Sequence, residues 1–510
     1  MATYYVAVDG DDGNPGMEAQ PFCTIQRAAH AAQQPGDTVY VRTGTYVEDR
    51  VTIQHSGTEN APIVFLNAPG ELPILHGSFR LEGKSYVHVI GFDIDANTTQ
   101  WAAIYIKSGS QHCLVDDCTL HDTRGSCIHA IMIYASHHNT IRNNTIYHNN
   151  SGLGLSGGAT YNTLEYNHCY ENDLLGGNSD GISLSTATTQ FNIIQYNIVH
   201  NNSDDGIDTW TSKHNLIVGN IAYHNGYDRH GNPAGDGNGF KLGGPGGGGN
   251  LVINNIAYDN LMMGFTTNGG PLPNTLYHNT AYGNLYHGFE EWEGSGGSTF
   301  RNNIGYLNAR QNCCFASDTE ASHNLYSGNP LFVNAANDDF HLCPGSPAID
   351  MGVSLSQSDI PGMFLTDVPS FFRDEALRQI ETDLGGDSRP QQAGYDIGAY
   401  EYGLGLPEKC KAPRFAYVRR YVLLPQSYGA EWGEAAARGG HRCRLTVGYS
   451  ADDAGLGVNC LSEREVLAVN PDEWEDDLQT FFDIYYPGVV FTPLIASTPG
   501  ELEILLAEVE

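Results

Sequence analysis

The chain reads as an all-β protein, a right-handed parallel β-helix (solenoid) with an N-terminal capping helix, followed by a small C-terminal α/β module. Three observations predict this. An asparagine motif recurs at a short interval through the middle of the chain, and the segments between its asparagines alternate apolar and polar residues. The composition is also turn-rich, with 60 glycines and 29 tyrosines but only 16% charged residues.

At the N-terminus, YYVAV (4–8) and TVYV (38–41) have the pattern of short strands, and TIQRAAHAAQQ (24–34) that of an amphipathic helix. Such a helix covers the open end of a solenoid, whose bare strand edge would otherwise invite association. The motif Asn-x-apolar-x-x-Asn-x-x-x-x-Asn then begins. Its central asparagines are Asn144, Asn167, Asn197, Asn220, Asn255, Asn279 and Asn303, separated by 23, 30, 23, 35, 24 and 24 residues. That period is too short for paired helices. Segments such as NTIRNNTIYHN, NLIVGNIAYHN and NLVINNIAYDN alternate as half-buried strands do. Stacked coils place equivalent residues about 4.8 Å apart, so the asparagines form ladders, each side chain bonding its neighbours above and below. Right-handed winding follows from the handedness of parallel crossovers. Coils are expected to continue irregularly to DIGAYEYG at 396–403. The solenoid domain is therefore placed at 1–405 and the accessory module at 413–510, where strand-like LTVGYS and VVFTPLI mix with helix-like EWGEAAARGG and TPGELEILLAEVE.

The formal net charge, 25 − 59 = −34, argues against nucleic acid or an anionic membrane as partner, and no apolar run reaches the length of a membrane span. An acidic glycan would need a bridging cation. The eleven cysteines contain no CxxC pair and read mostly as buried thiols. No Cys/His set has zinc spacing, and His148, His168, His200 and His224 read as solvated repeat positions.

Chemistry concentrates where the interval lengthens. One insertion precedes Asp180 and another, YDRHGNPAGDG, precedes Lys241. The strands after these turns align on a Gly-apolar pair, which stacks Ser183, Asp208, Lys241 and Thr266 in one column and Asp180, Asp205, Asn238 and Met263 in a second. Asp180, Asp204, Asp205 and Asp208 then crowd onto two consecutive coils, with Lys241 on the next, roughly 5 Å away. Repulsion among four carboxylates calls for a hard cation with all-oxygen ligands, and Ca²⁺ accepts irregular cages more readily than Mg²⁺. A lysine beside such a cation suits proton abstraction α to a uronate carboxylate, the first step of β-elimination. A plain salt bridge between Lys241 and Asp208 is the competing reading.

NSDGISL (178–184), NNSDDGIDTW (201–210) and GDGNGFKLGG (235–244) resemble the family 9 polysaccharide lyases, pectate lyases with a right-handed parallel β-helix. The opening segments YYVAVDGDDGNPG, PFCTIQRAA and PGDTVYVRTGTY are similar too, so the resemblance covers about residues 3–402. It implies one Ca²⁺ held by Asp180, Asp204, Asp205 and Asp208, with Lys241 as the base. It also implies polygalacturonate as substrate and secretion, for a chain expected to be monomeric. Trp210, Lys213, Arg229, His230 and Asn268 are candidate sugar contacts, with exposed loop or ladder roles as the alternative. The chain departs from the family in its C-terminal module and in beginning MATYYVAVDG without a leader, which fits either a removed signal or a protein retained in the cell. Rival functions are a rhamnogalacturonan lyase, a uronate C5-epimerase, and a glycan-binding β-helix of the tailspike or adhesin type with structural calcium.

Overall fold

The computed structural model describes residues 1–403 except 97, 124–126 and 174–177, together with the backbone of four strands beyond, Phe415–Leu423, His441–Ser450, Val458–Ala468 and Thr492–Ile495. It is a right-handed parallel β-solenoid of about 11 turns. The chain divides into two compact units, 1–328 with 350–400, and 329–349 with 401–510.

In the first unit each regular coil contributes one short strand to each of three parallel sheets. The first sheet runs from Thr3–Val6 to Glu320–Ser322. The second runs from Asp93–Asp95 to Ile304–Tyr306, and the third from Ala102–Lys107 to Gln311–Cys314. These two merge at the long strands Gly44–Thr52 and Pro73–Glu82. Inward residues stack in register, as in the first-sheet series Ile141, Leu164, Ile194, Ile217, Val252, Leu276 and Phe300. All are fully buried in the core that fills the tube.

The asparagines form the expected ladders. Asn144, Asn167, Asn197, Asn220, Asn255, Asn279 and Asn303 each donate Nδ2 and backbone N–H to the Oδ1 of the next coil's asparagine, at 2.8–3.2 Å with Asn324 ending the series. Corners are turned by a single left-handed residue immediately before the ladder asparagine, as at His138, Asn143 and His148 in one coil and Tyr161, Tyr166 and Glu171 in the next, with Pro273, before Asn274, an exception. Three strand residues, one left-handed residue and one asparagine make the five-residue spacing of the motif.

Helix α1 (Ile25–Ala31) forms where the sequence predicts it, with the Thr24 hydroxyl accepting the Arg27 N–H at its N-cap. The C-terminal part of the first unit differs from expectation. The coils stop near residue 325, and 350–400 returns along the outside of the first sheet instead of winding further. Helix α2 (Ser370–Glu381) packs Phe372, Ala376 and Ile380 on Ile193, Leu216, Val218, Leu251 and Ile253. Those first-sheet residues lie outside the strict alternation, and the surplus apolar face needs a cover.

In the second unit Phe332–Asn334 pairs with Asp339–Leu342, antiparallel. The four later strands form one sheet in which Phe415–Leu423, His441–Ser450 and Val458–Ala468 are antiparallel and Thr492–Ile495 joins parallel. LTVGYS and TPLI fall on these strands; the helix-like segments lie outside the described residues. Cys113, Cys118, Cys127 and Cys169 are buried thiols, as expected, whereas Cys23, Cys313 and Cys314 are half-buried thiols and Cys343 is disulfide-bonded.

Candidate active site on the third sheet

Both columns form. Ser183, Asp208, Lys241 and Thr266 are aligned by strand pairing, and the series continues to Glu290. In the neighbouring column the Asp205 N–H donates to Asp180 Oδ1, the Asn238 N–H to Asp205 Oδ1 and the Met263 N–H to Asn238 Oδ1. The glycine between the columns is compulsory. A Cβ on Gly206 would stand 2.7 Å from the Gly239 carbonyl oxygen and 2.8 Å from Asn225 Nδ2, too close for any side chain.

Lys241 Nζ lies 2.7 Å from Asp236 Oδ2, 3.0 Å from Asp205 Oδ2 and 3.8 Å from Asp208 Oδ2. Its side chain is 8% exposed, and the Trp210 ring centroid is 5.4 Å from Nζ. Asp236 was not assigned from the sequence. It belongs to the second insertion, which folds back so that the Asp236 N–H donates to Asp204 Oδ1 at 2.5 Å. Gly235 permits this approach, because a Cβ there would meet Asp204 Oδ1 and the Ser203 carbonyl oxygen, each at 2.5 Å. The only sequence signal is a further carboxylate in the inserted GDG, five residues before the lysine.

Burial, then the charges of Asp208, Asp205 and Asp204, push the Asp180 carboxyl well above the usual carboxylate range. Asp208 is raised well above it by burial and then Asp205. Asp204 reaches about 6 through burial and Asp205, and Asp205 is raised by burial against the pull of Lys241. For Lys241, burial favours the neutral amine, but Asp205, Asp208 and the bond to Asp236 outweigh it and hold the ammonium above its ordinary range.

Oxygen atoms of Asp180, Asp205 and Asp208 all lie within 4.8 Å of one another, as do those of Asp204, Asp205 and Asp236. Asp205 Oδ2 is buried and receives no well-directed hydrogen bond, although Lys241 stands 3.0 Å away as a counter-ion. An all-oxygen donor set with an under-satisfied buried carboxylate fits a hard cation such as Ca²⁺.

The candidate sugar contacts divide. Trp210 stands at the cluster, its backbone N–H donating to Asp208 Oδ1 at 2.6 Å, and is 42% exposed. Arg229 is committed to a bidentate pair with buried Asp173, which ties the second insertion to the first. His230 is exposed on that insertion, and its N–H caps Asp228. Asn268 is a left-handed turn residue whose amide donates to the Gly243 carbonyl. Lys213 is half-buried at the bridge between Gln190 and Gly248 that leads into the first sheet. Of the repeat histidines, His224 is exposed as expected, whereas His168 and His200 are packed against their neighbours. His200 stacks between Tyr170 and Tyr223 at 5.2 and 4.5 Å, and its Nε2 lies 2.7 Å from that of His168.

Among solved structures, the fold is similar to the crystal structure of pectate lyase Pel9A, with TM-score 0.56 and 21% identity over 79% of this chain and 97% of that one. It is also similar to XylC in complex with xylose, with TM-score 0.50 and 14% identity over 79% and 99%. Among curated sequences, the uncharacterized protein YwoF of Bacillus subtilis is 30% identical over 129 residues, 22% of this chain and 27% of that protein. Pectate lyase PEL9 of Emericella nidulans is 39% identical over 77 residues, 15% of this chain and 18% of that protein. The matches thus span about a quarter or less of the curated relatives. The family pattern described as Pel9A-like, right handed beta helix region matches residues 4–324. With that span the chain belongs to the Pel9A-like right-handed β-helix family.

Proposed function

We propose that this protein is a Ca²⁺-dependent polysaccharide lyase that cleaves a uronate polymer, polygalacturonate first among them, by β-elimination, with Lys241 as the base. The observation that carries the reading is the placement of one buried lysine in register between Asp208 and Thr266, its ammonium against Asp205 and Asp236 of a carboxylate cage. A cage that served only to bind metal would have no use for an ammonium inside it. Asp180, Asp204, Asp205 and Asp208 are the proposed ligands. When bound, the cation neutralises these carboxylates and draws charge from the substrate's carboxylate.

The side chains supply the rest. Lys241 Nζ removes the C5 proton, the C5–H electrons form the C4–C5 double bond, and the C4–O bond breaks with its electrons on the leaving oxygen, which takes a proton from water. Lys241 must first lose its own proton, so the metal and the base are interdependent. Asp205 Oδ1 is fixed by both the N–H and the amide of Asn238 at 2.8 Å, which leaves Oδ2 directed to the reacting side. The Trp210 ring borders one flank of the lysine, its centroid 5.4 Å from Nζ. The predicted home of such an activity is outside the cell, where its substrate is.

The test is ultraviolet absorbance of unsaturated uronides on polygalacturonate at alkaline pH, with Ca²⁺ or a chelator. Absorbance should rise only with Ca²⁺ and intact Lys241, and Lys241→Ala should lose at least about 100-fold in rate. The ion pairs of Lys241 with Asp236 and Asp205 favour a second, purely structural reading. Under it, Lys241→Ala lowers the unfolding midpoint and no unsaturated product forms from any uronan with the parent protein.

A further inference from the structure

Beyond Lys241 the same column continues through Thr266 to Glu290, two strand spacings or roughly 10 Å from the lysine. Glu290 accepts a hydrogen bond from the Thr266 hydroxyl at 3.1 Å and another from the indole N–H of Trp292. The backbone N–H of Trp292 donates to the Thr267 hydroxyl at 3.2 Å. The indole is thus held at its polar edge while the residue stays 50% exposed.

Trp210 occupies the equivalent position, although there the backbone N–H, not the indole, bonds to the carboxylate. It stands two residues beyond Asp208, as Trp292 stands two beyond Glu290, and it borders Lys241 on the other side. The equivalent positions on the coils between them are Gly243 and Asn268, and the Asn268 amide is folded down onto the Gly243 carbonyl at 3.1 Å. No large side chain occupies these positions between the two rings. A fixed, exposed indole loses little conformational freedom when a ring stacks on it.

The two tryptophans differ in charge. Beside Trp210 stands Lys241. Beside Trp292 in the chain stand half-buried Glu290 and exposed Glu293, with Glu291 buried behind them. Glu291 accepts from the Ser298 N–H and the Thr319 hydroxyl, and Glu293 from the Ser317 N–H. None of the three is ion-paired among the described residues. A polyanion extended along this column of the third sheet meets uncompensated like charge here.

We propose that Trp292, positioned by Glu290, is a second sugar-binding position that stacks an uncharged pyranose, while the acidic sugar occupies the Lys241 end. The proposal rests on the reading of the substrate as a uronate polymer. The uncharged ring is either a neutral sugar or a methyl-esterified uronate. Its selection is partly by rejection, because the glutamates disfavour a carboxylate at that point.

The test measures equilibrium binding with Ca²⁺ present, in a Lys241→Ala background where no turnover consumes the ligand. Three oligosaccharides of equal length serve as probes: fully de-esterified oligogalacturonate, its methyl-esterified form, and a uronate oligomer alternating with a neutral sugar. Adding Trp292→Ala should weaken at least one uncharged-ring probe by roughly tenfold and leave the de-esterified one within about twofold. Trp292→Phe should recover most of that loss, and Glu290→Gln should tighten the de-esterified probe several-fold. Whichever uncharged-ring probe suffers more from Trp292→Ala identifies the source of the ring. Equal loss on all three probes, no change on any, or no binding by any of them overturns the proposal. Cleavage by the parent chain is scored separately. Binding with this discrimination but without unsaturated product would remove the lyase reading alone, and cleavage with Trp292→Ala binding all probes like the parent would remove this one alone.

Discussion

Asp205 illustrates how a ladder position becomes a site position. Its Oδ1 accepts both donors of Asn238, as a ladder asparagine's would, and its backbone N–H donates to Asp180 Oδ1. Replacing the amide of such a residue by a carboxylate keeps the accepting oxygen of the rung, gives up the Nδ2 donor and places a charge on the remaining oxygen. A second carboxylate-rich spot, on the second sheet, shows what the same residue types do without an orphaned oxygen. His121 is held between Asp93 Oδ1 at 2.9 Å and Asp122 Oδ2 at 2.8 Å, and the hydrogen bond to Asp93 is the main cause that raises it to about 9. A raised folded value means that the pair stabilises fully below the unfolded histidine value, near about 6.5, and is lost as pH climbs through about 9. His121→Gln should therefore cost most at pH 6, with the gap from the parent nearly closed by pH 10, as read from urea midpoints at each pH. A gap that stays constant would show that His121 contributes packing on Tyr147 rather than charge.

The asparagine ladder is the element that makes the coils stack. Asn220 is fully buried; its Nδ2 donates to the carbonyls of Ile194 and Val218 and to Asn255, and its Oδ1 receives both donors of Asn197. Asn220→Ala strands several buried partners at once, at roughly 1–3 kcal/mol for each unsatisfied group. A loss of about 3 kcal/mol or more is expected, measured as a lower urea midpoint with an unchanged slope. A loss below about 1 kcal/mol would mean that water enters the corner and replaces the amide. The inner stack behind the site, Phe240, Phe265 and Phe289, has centroids 4.6 and 4.9 Å apart. It fixes the strands whose outer residues are Lys241, Thr266 and Glu290, so core packing sets the spacing of the surface column. Helix α2 does the corresponding work on the first sheet by covering apolar residues that face outward.

Across the whole molecule the charge of −34 opposes the approach of any polyanion. On the proposed function, KM for polygalacturonate at fixed Ca²⁺ should fall as ionic strength rises from about 10 mM to about 100 mM, because the screening length shrinks from about 30 Å to about 10 Å. A rising KM over that range would mean that attraction to the metal-loaded groove outweighs the global field.

Much of this was legible beforehand. The three asparagine series, the two columns and the ladder role of their members follow from strict residue spacing. The capping helix was visible in TIQRAAHAAQQ. Asp236 was in plain view within GDGNGFK, but nothing in its spacing said that the insertion would fold back onto Asp204. The mounting of Trp292 on Glu290 was hidden for a similar reason, since one more Gly-Phe-Glu coil looks like the rest. Helix α2 was missed because the surplus apolar residues of the first sheet gain meaning only when their outward direction is known. The sequence by itself determined the coil, because a solenoid repeats one local geometry and register copies each position onto the next rung. Tertiary structure alone decided that Asp236 joins the carboxylates around Lys241 and what covers the first sheet. Those contacts join segments that share no period, and their geometry depends on where an irregular loop closes.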